Sequence, residues 1–156
     1  MNILIAYYSW SGNTKKIAEQ IQKETGGTLF EIRPKEPYSG NYNECLKQAK
    51  KDIKARYLPD VESLSEYPEF YDVVFIGTPN WWSSIAPPVA AFLAELSLFG
   101  KIIAPFCSHG GGGLGNCEKN ISKLCPDADV KNAMPVYGSN IGQKALNQWL
   151  ETIVPS

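Results

Sequence analysis

Apolar and polar positions along this chain follow two rhythms. Asn2–Tyr8 and Asp72–Gly77 are short apolar runs without helical period, and runs of this kind fit strands buried on both faces. Thr28–Arg33, Lys101–Ser108 and Val130–Tyr137 read as three further strands. The stretches between them have helical period. Asn13–Thr25 sets Ile17, Ala18 and Ile21 on one face and Lys16, Glu19 and Lys23 elsewhere, opens on an N-cap residue type and stops at Gly26-Gly27. Pro87-Pro88 opens another helix, and Leu114–Leu124 and Gly142–Ile153 give two more.

Strand and helix therefore alternate, which predicts an α/β fold: a doubly wound, five-stranded parallel sheet with helices on both faces. Some forty residues between the second and third strands interrupt the rhythm. Within a helical insertion at about 38–60, Tyr42–Leu58 sets Leu46, Ala49, Ile53 and Tyr57 on one face and Lys47, Lys50, Lys51 and Lys54 on the other. That basic row is either a solvated helix face or a docking surface for an acidic partner. No repeat or linker is visible, so residues 1–156 are expected to form one domain.

Composition narrows the chemistry. Fifteen Lys and Arg against sixteen Asp and Glu give a formal charge of -1, so no overall field draws the chain to nucleic acid. With one histidine and four cysteines that lack C-x-x-C spacing, no metal centre is expected. The chain opens on a strand without signal-peptide character, and no apolar stretch reaches the ~18 residues of a membrane span. A cytoplasmic protein with reduced thiols and no membrane insertion is the expectation.

Ligands of open parallel sheets bind beyond the carboxyl ends of the strands, and three such ends are unusual here. Ser9-Trp10-Ser11-Gly12-Asn13-Thr14 places four hydrogen-bonding side chains and a glycine directly on a helix start, where free N–H groups and the helix dipole favour an anion. Each hydrogen bond to a charged group contributes about 1.5–3 kcal/mol, so a phosphate monoester suits the loop. The loop lacks the lysine and spacing of a Walker motif, which argues against nucleoside triphosphate hydrolysis. The second end, Thr78-Pro79-Asn80-Trp81-Trp82-Ser83-Ser84, carries two tryptophans, and at least one is expected to stack on a planar ligand. The third, Ser108–Gly115, has five glycines in its last six positions, a composition suited to close approach of main chain and ligand.

These three loops together resemble the flavodoxin family, over essentially the whole chain. The resemblance implies FMN as cofactor. It implies that Ser9, Ser11, Gly12, Asn13 and Thr14, with the Trp10 backbone, hold the phosphate. Pro79, Asn80, Trp81 and Trp82 would border the isoalloxazine ring, and Ser108, His109, Gly110, Gly111 and Gly112 would contact its pyrimidine side. No catalytic residue follows from this, although His109 is a candidate proton donor to a reduced acceptor. The function implied is electron transfer through non-covalent FMN, to a redox partner protein or a small-molecule acceptor. Near-neutral charge and a third loop without aromatics leave room for an FMN-dependent reductase of quinones or other small acceptors. A regulatory module without flavin is a third expectation.

Overall fold

A computed structural model of the protein describes residues 1–63 and 70–154. Along these residues run β1 (Ile3–Tyr7), α1 (Asn13–Thr25), β2 (Thr28–Glu31), α2 (Tyr42–Ala55), β3 (Val73–Pro79) and α3 (Pro87–Ala94). β4 (Ile102–His109), α4 (Cys117–Leu124), β5 (Asp129–Val130), β6 (Met134–Tyr137) and α5 (Gln143–Ile153) follow. The strands pair in parallel in the order β2-β1-β3-β4-β5, with β6 also on β4. This is the doubly wound sheet that the alternating pattern predicts.

Successive side chains of a strand point to opposite faces, and the core divides accordingly. Leu4, Ala6, Val74, Ile76, Ile103 and Cys107 face one way, against Cys45 and Ala49 of α2, Val89 and Phe92 of α3, and Cys117 and Ile121 of α4. Ile5, Tyr7, Val73, Phe75, Ala104 and Phe106 face the other way, against Ile17, Ala18 and Ile21 of α1 and Leu146, Trp149 and Ile153 of α5. Both faces being covered, β1, β3 and β4 carry the unbroken apolar runs seen in the sequence. The helix after β1 lies on one face and the helix after β3 on the other, so the two connections part at the carboxyl ends of adjacent strands and leave a crevice there.

Several boundaries differ from the sequence reading, three of them with a visible cause. The fifth strand is broken: β5 pairs Ile103 with Val130, but β6 pairs Phe106 with Met134, so one extra residue enters between them. The Asn132 carbonyl turns out of the ladder there and accepts the indole N–H of Trp149 at 3.0 Å. Arg56, in the left-handed region at φ 53, ends α2 three residues before the expected Leu58. The fourth helix starts at Cys117 instead of Leu114, because Gly115 is also left-handed at φ 53. No helix among the described residues is long and apolar enough to cross a membrane.

Candidate functional site at the carboxyl edge of the sheet

The first loop joins β1 to α1 with Gly12 in the left-handed region at φ 99. Among the described residues no side chain caps α1, and no acidic residue lies in its first turn, although serines and an asparagine surround it. Its first-turn N–H groups, which have no partner inside the helix, are therefore left for an external anion. Ser9 Oγ accepts the Gly12 N–H at 3.0 Å and shapes the bend. The Trp10 indole is turned away, donating to the Ser39 carbonyl at 3.0 Å and lying 5.8 Å from the Tyr42 ring. Ser11 is exposed, and Gly12 and Asn13 are half-buried. Thr14 is buried, and its hydroxyl lies 2.8 Å from that of Ser108. One of the two donates to the other, and the acceptor keeps a proton to give elsewhere.

The second loop contains a tight turn. Trp81 N–H donates to the Ser84 carbonyl at 3.0 Å and Ser84 N–H to the Trp81 carbonyl at 2.9 Å. The central residues, Trp82 at φ 54 and Ser83 at φ 63, both lie in the left-handed region, where such turns normally place Asn or Gly. That conformation costs a non-glycine residue about 1–2 kcal/mol, so the neighbours hold the turn in place. Thr78 supplies one such hold, its buried hydroxyl accepting the Ala86 N–H at 3.0 Å.

The two tryptophans separate sharply. Trp81 is only 7% exposed, with the rings of Tyr8 and Tyr38 edge-on at 5.5 and 5.2 Å. Tyr38 in turn donates its hydroxyl to Asp52 of α2 at 2.8 Å. Burial raises the phenol pKa of both tyrosines, and for Tyr38 the Asp52 carboxylate adds to it, so both stay protonated. Trp81 is thus a packing residue of the loop base. Trp82, 48% exposed, stands at the rim. Its indole donates to the Leu46 carbonyl of α2 at 2.9 Å, and Lys50 Nζ lies 4.8 Å from its ring centroid.

The third loop is anchored on the second. Asn80 Nδ2 donates to the Gly113 carbonyl at 2.8 Å, and Asn116 N–H donates to the Ser83 carbonyl at 2.6 Å. At Gly115 a Cβ would come within 2.8 Å of Ser83 Cα, so that glycine serves contact between the loops. Around Gly110 and Gly111 there is open space instead. His109 Nδ1 accepts the Gly111 N–H at 3.0 Å, which leaves the proton of the neutral ring on Nε2. The His109 ring lies 5.8 Å from that of Tyr137, which is 74% exposed.

The edge therefore brings together Ser9–Thr14, Pro79–Trp82 and Ser108–Gly112, with Thr14–Ser108 and Asn80–Gly113 as the links between loops. A cavity of about 550 Å³, bordered by Tyr8, Ser9, Trp10, Arg33 and Tyr38, opens on the β2 side of the first loop, away from Trp82 and Gly110. Sequence reading gave no site role to Tyr8, Tyr38 or Asp52, and named Thr78 and Ser83 only as members of the second loop. Only Thr78, a hydroxyl closing an apolar run, gave a signal; the rest act through contacts between distant segments.

The sequence matches the flavodoxin family over residues 2–153. Among solved structures, a protein of Bacteroides eggerthii is 32% identical, over 97% of both chains, with a TM-score of 0.86. A flavoprotein of Lactobacillus acidophilus, solved in complex with FMN, is 25% identical over 85% of this chain and 91% of its own, with a TM-score of 0.75. A protein of Bacteroides uniformis, 23% identical over 96% and 97% of the two chains, shares the fold at a TM-score of 0.85. Comparison with curated proteins gives no match. The chain belongs to the flavodoxin family, whose members are flavin-binding redox proteins.

Proposed function

We propose that this protein binds FMN non-covalently at the three loops and transfers electrons through it. The observation that carries this reading is the start of α1: a hydroxyl-lined loop, no capping side chain and no carboxylate in the first turn. A dianionic phosphate satisfies donors that would otherwise lack a partner, and the helix dipole offsets its charge without an arginine.

Ser9, Ser11, Gly12, Asn13 and Thr14, with the Trp10 backbone, hold the phosphate. The Thr14–Ser108 hydroxyl pair joins that subsite to the third loop. Pro79, Asn80 and Trp82 border the ring, with Trp81 behind them as support. Ser108, His109, Gly110, Gly111 and Gly112 supply main chain and one imidazole on the other side. FMN, when bound, supplies the electron chemistry; the chain positions it and excludes water from one side.

Titration of FMN fluorescence with purified protein tests the assignment. Quenching to a one-to-one endpoint is expected, and a protein that leaves the fluorescence unchanged sinks it. The open space around Gly110 and Gly111, with no aromatic residue from Ser108 to Gly115, favours a second reading, reduction of a small acceptor such as a quinone at an uncovered ring. Oxidation of a reduced nicotinamide coupled to quinone reduction by the FMN-loaded protein separates that reading from a pure carrier.

A further inference from the structure

The basic row predicted in the sequence lies on α2, and three observations give it a role. Lys47, Lys50, Lys51 and Lys54 occupy positions i, i+3, i+4 and i+7, so they share one face over about 10 Å of helix. All four are exposed, opposite the buried Cys45 and Ala49, and none forms an ion pair among the described residues. Along α2 these four lysines stand against two carboxylates, Glu44 and Asp52, which accept the Ser39 and Tyr38 hydroxyls at 2.8 Å. A chain with a formal charge of -1 thus carries a helix with a net positive outer face.

That face adjoins the candidate site. Lys50 lies over the Trp82 ring, and Trp82 is hydrogen-bonded to the α2 backbone. Lys51 borders a hollow, but Glu36, Asp52 and Asp60 line it too, so it does not gather positive charge on a nucleotide phosphate; the row itself is the outer surface of a helix. A protein surface of opposite charge matches it, with the exposed Trp82 at its edge as an aromatic anchor.

We propose that the lysine face of α2, together with Trp82, docks a small acidic electron-carrier protein beside the cofactor edge. This inference rests on the FMN reading above and deepens it by naming the kind of partner.

The test uses FMN-loaded protein and plant-type ferredoxin, a small, strongly acidic iron–sulfur protein, as the probe, with basic cytochrome c as the control. Binding is measured by calorimetry at low and at physiological ionic strength, where the screening length falls to about 8 Å. The local face predicts attraction to ferredoxin that weakens with salt, whereas the net charge of -1 alone predicts weak repulsion. A variant with Lys47→Glu, Lys51→Glu and Lys54→Gln is expected to bind ferredoxin at least tenfold more weakly. Lys54 is neutralised and not reversed because it lies in the last turn, where a carboxylate opposes the helix dipole. A second variant with Gln at all three positions, and thermal melts of both, guard against a folding defect.

Ferredoxin binding that is absent, insensitive to salt, or unchanged in the variants overturns the proposal. Equal or tighter binding of cytochrome c overturns it too. So does a variant-sensitive association with anionic-lipid vesicles in place of ferredoxin, which would make the face a membrane surface. FMN quenching by the wild-type chain and by both variants is measured alongside. Intact quenching without ferredoxin binding rejects the docking face alone, while absent quenching rejects the flavin reading.

Discussion

Gly77 shows how narrowly one residue is specified at this edge. It lies in β3 beneath the start of α1, and a Cβ there would overlap the Phe106 ring and come within 3.0 Å of Thr14 Cγ2. Gly77→Ala is expected to cost about 1–3 kcal/mol, the range for overpacking a dense core. Because Thr14 is one of the displaced neighbours, the same change should weaken FMN binding beyond what lost stability explains. Chemical denaturation without FMN and a fluorescence titration with it measure the two effects. The sequence marks Gly77 only as the last residue of an apolar run. Its neighbours Phe106 and Thr14 are distant in the chain, so its steric role was not legible there. The two tryptophans illustrate the same limit. Their adjacency singled out the loop, but their division into a buried support and an exposed rim residue depends on Tyr8 and Tyr38 arriving from other segments.

At the level of elements, hydrophobic period revealed the strands and helices because each buries a face whose rhythm follows from local geometry. It failed where tertiary contacts decide. The Trp149–Asn132 bond breaks the edge strand, and the anchoring of Gly115 on Ser83 delays α4. The start of α1 was legible only in part: the absence of acids and the crowding of hydroxyls are written in six consecutive residues, but the sequence offers Asn13 as the cap, whereas the structure puts Gly12 there and Asn13 inside the helix. It also yields a test in which two effects have opposite sign. Ser11→Asp puts a carboxylate beside the positive end of α1 and should stabilise the FMN-free protein by about 0.3–1 kcal/mol. The same charge repels a phosphate, so FMN affinity should fall at least tenfold. Thermal melts without FMN and a quenching titration read the two outcomes, and affinity equal to wild type would place the phosphate elsewhere.

For the whole molecule, burial of weak acids sets the pH response. Burial pushes the Cys125 thiol from its ordinary 9.0 up to about 11, and Tyr8 and Tyr38 are also raised. Hydrogen bonding to Cys117, with burial, raises Cys107 in the same direction. Unfolded, these groups release protons at lower pH than they do in the folded chain. Above about pH 9 the folded state therefore binds more protons, and stability falls as pH rises. The urea midpoint should be lower at about pH 10 than at about pH 8, and a flat response would show that these groups stay solvated.

The pinning of the second loop by the third also bears on how this edge can change. The Asn80 side chain on the Gly113 carbonyl, the Asn116 N–H on the Ser83 carbonyl and the close approach of Gly115 to Ser83 fasten the two segments, so an insertion in either shifts the other out of register. New ligand preferences at this end of the fold therefore require the two segments to be replaced as a matched pair, by evolution or by design, with the first loop tied to them at one point, the Thr14–Ser108 hydroxyl pair.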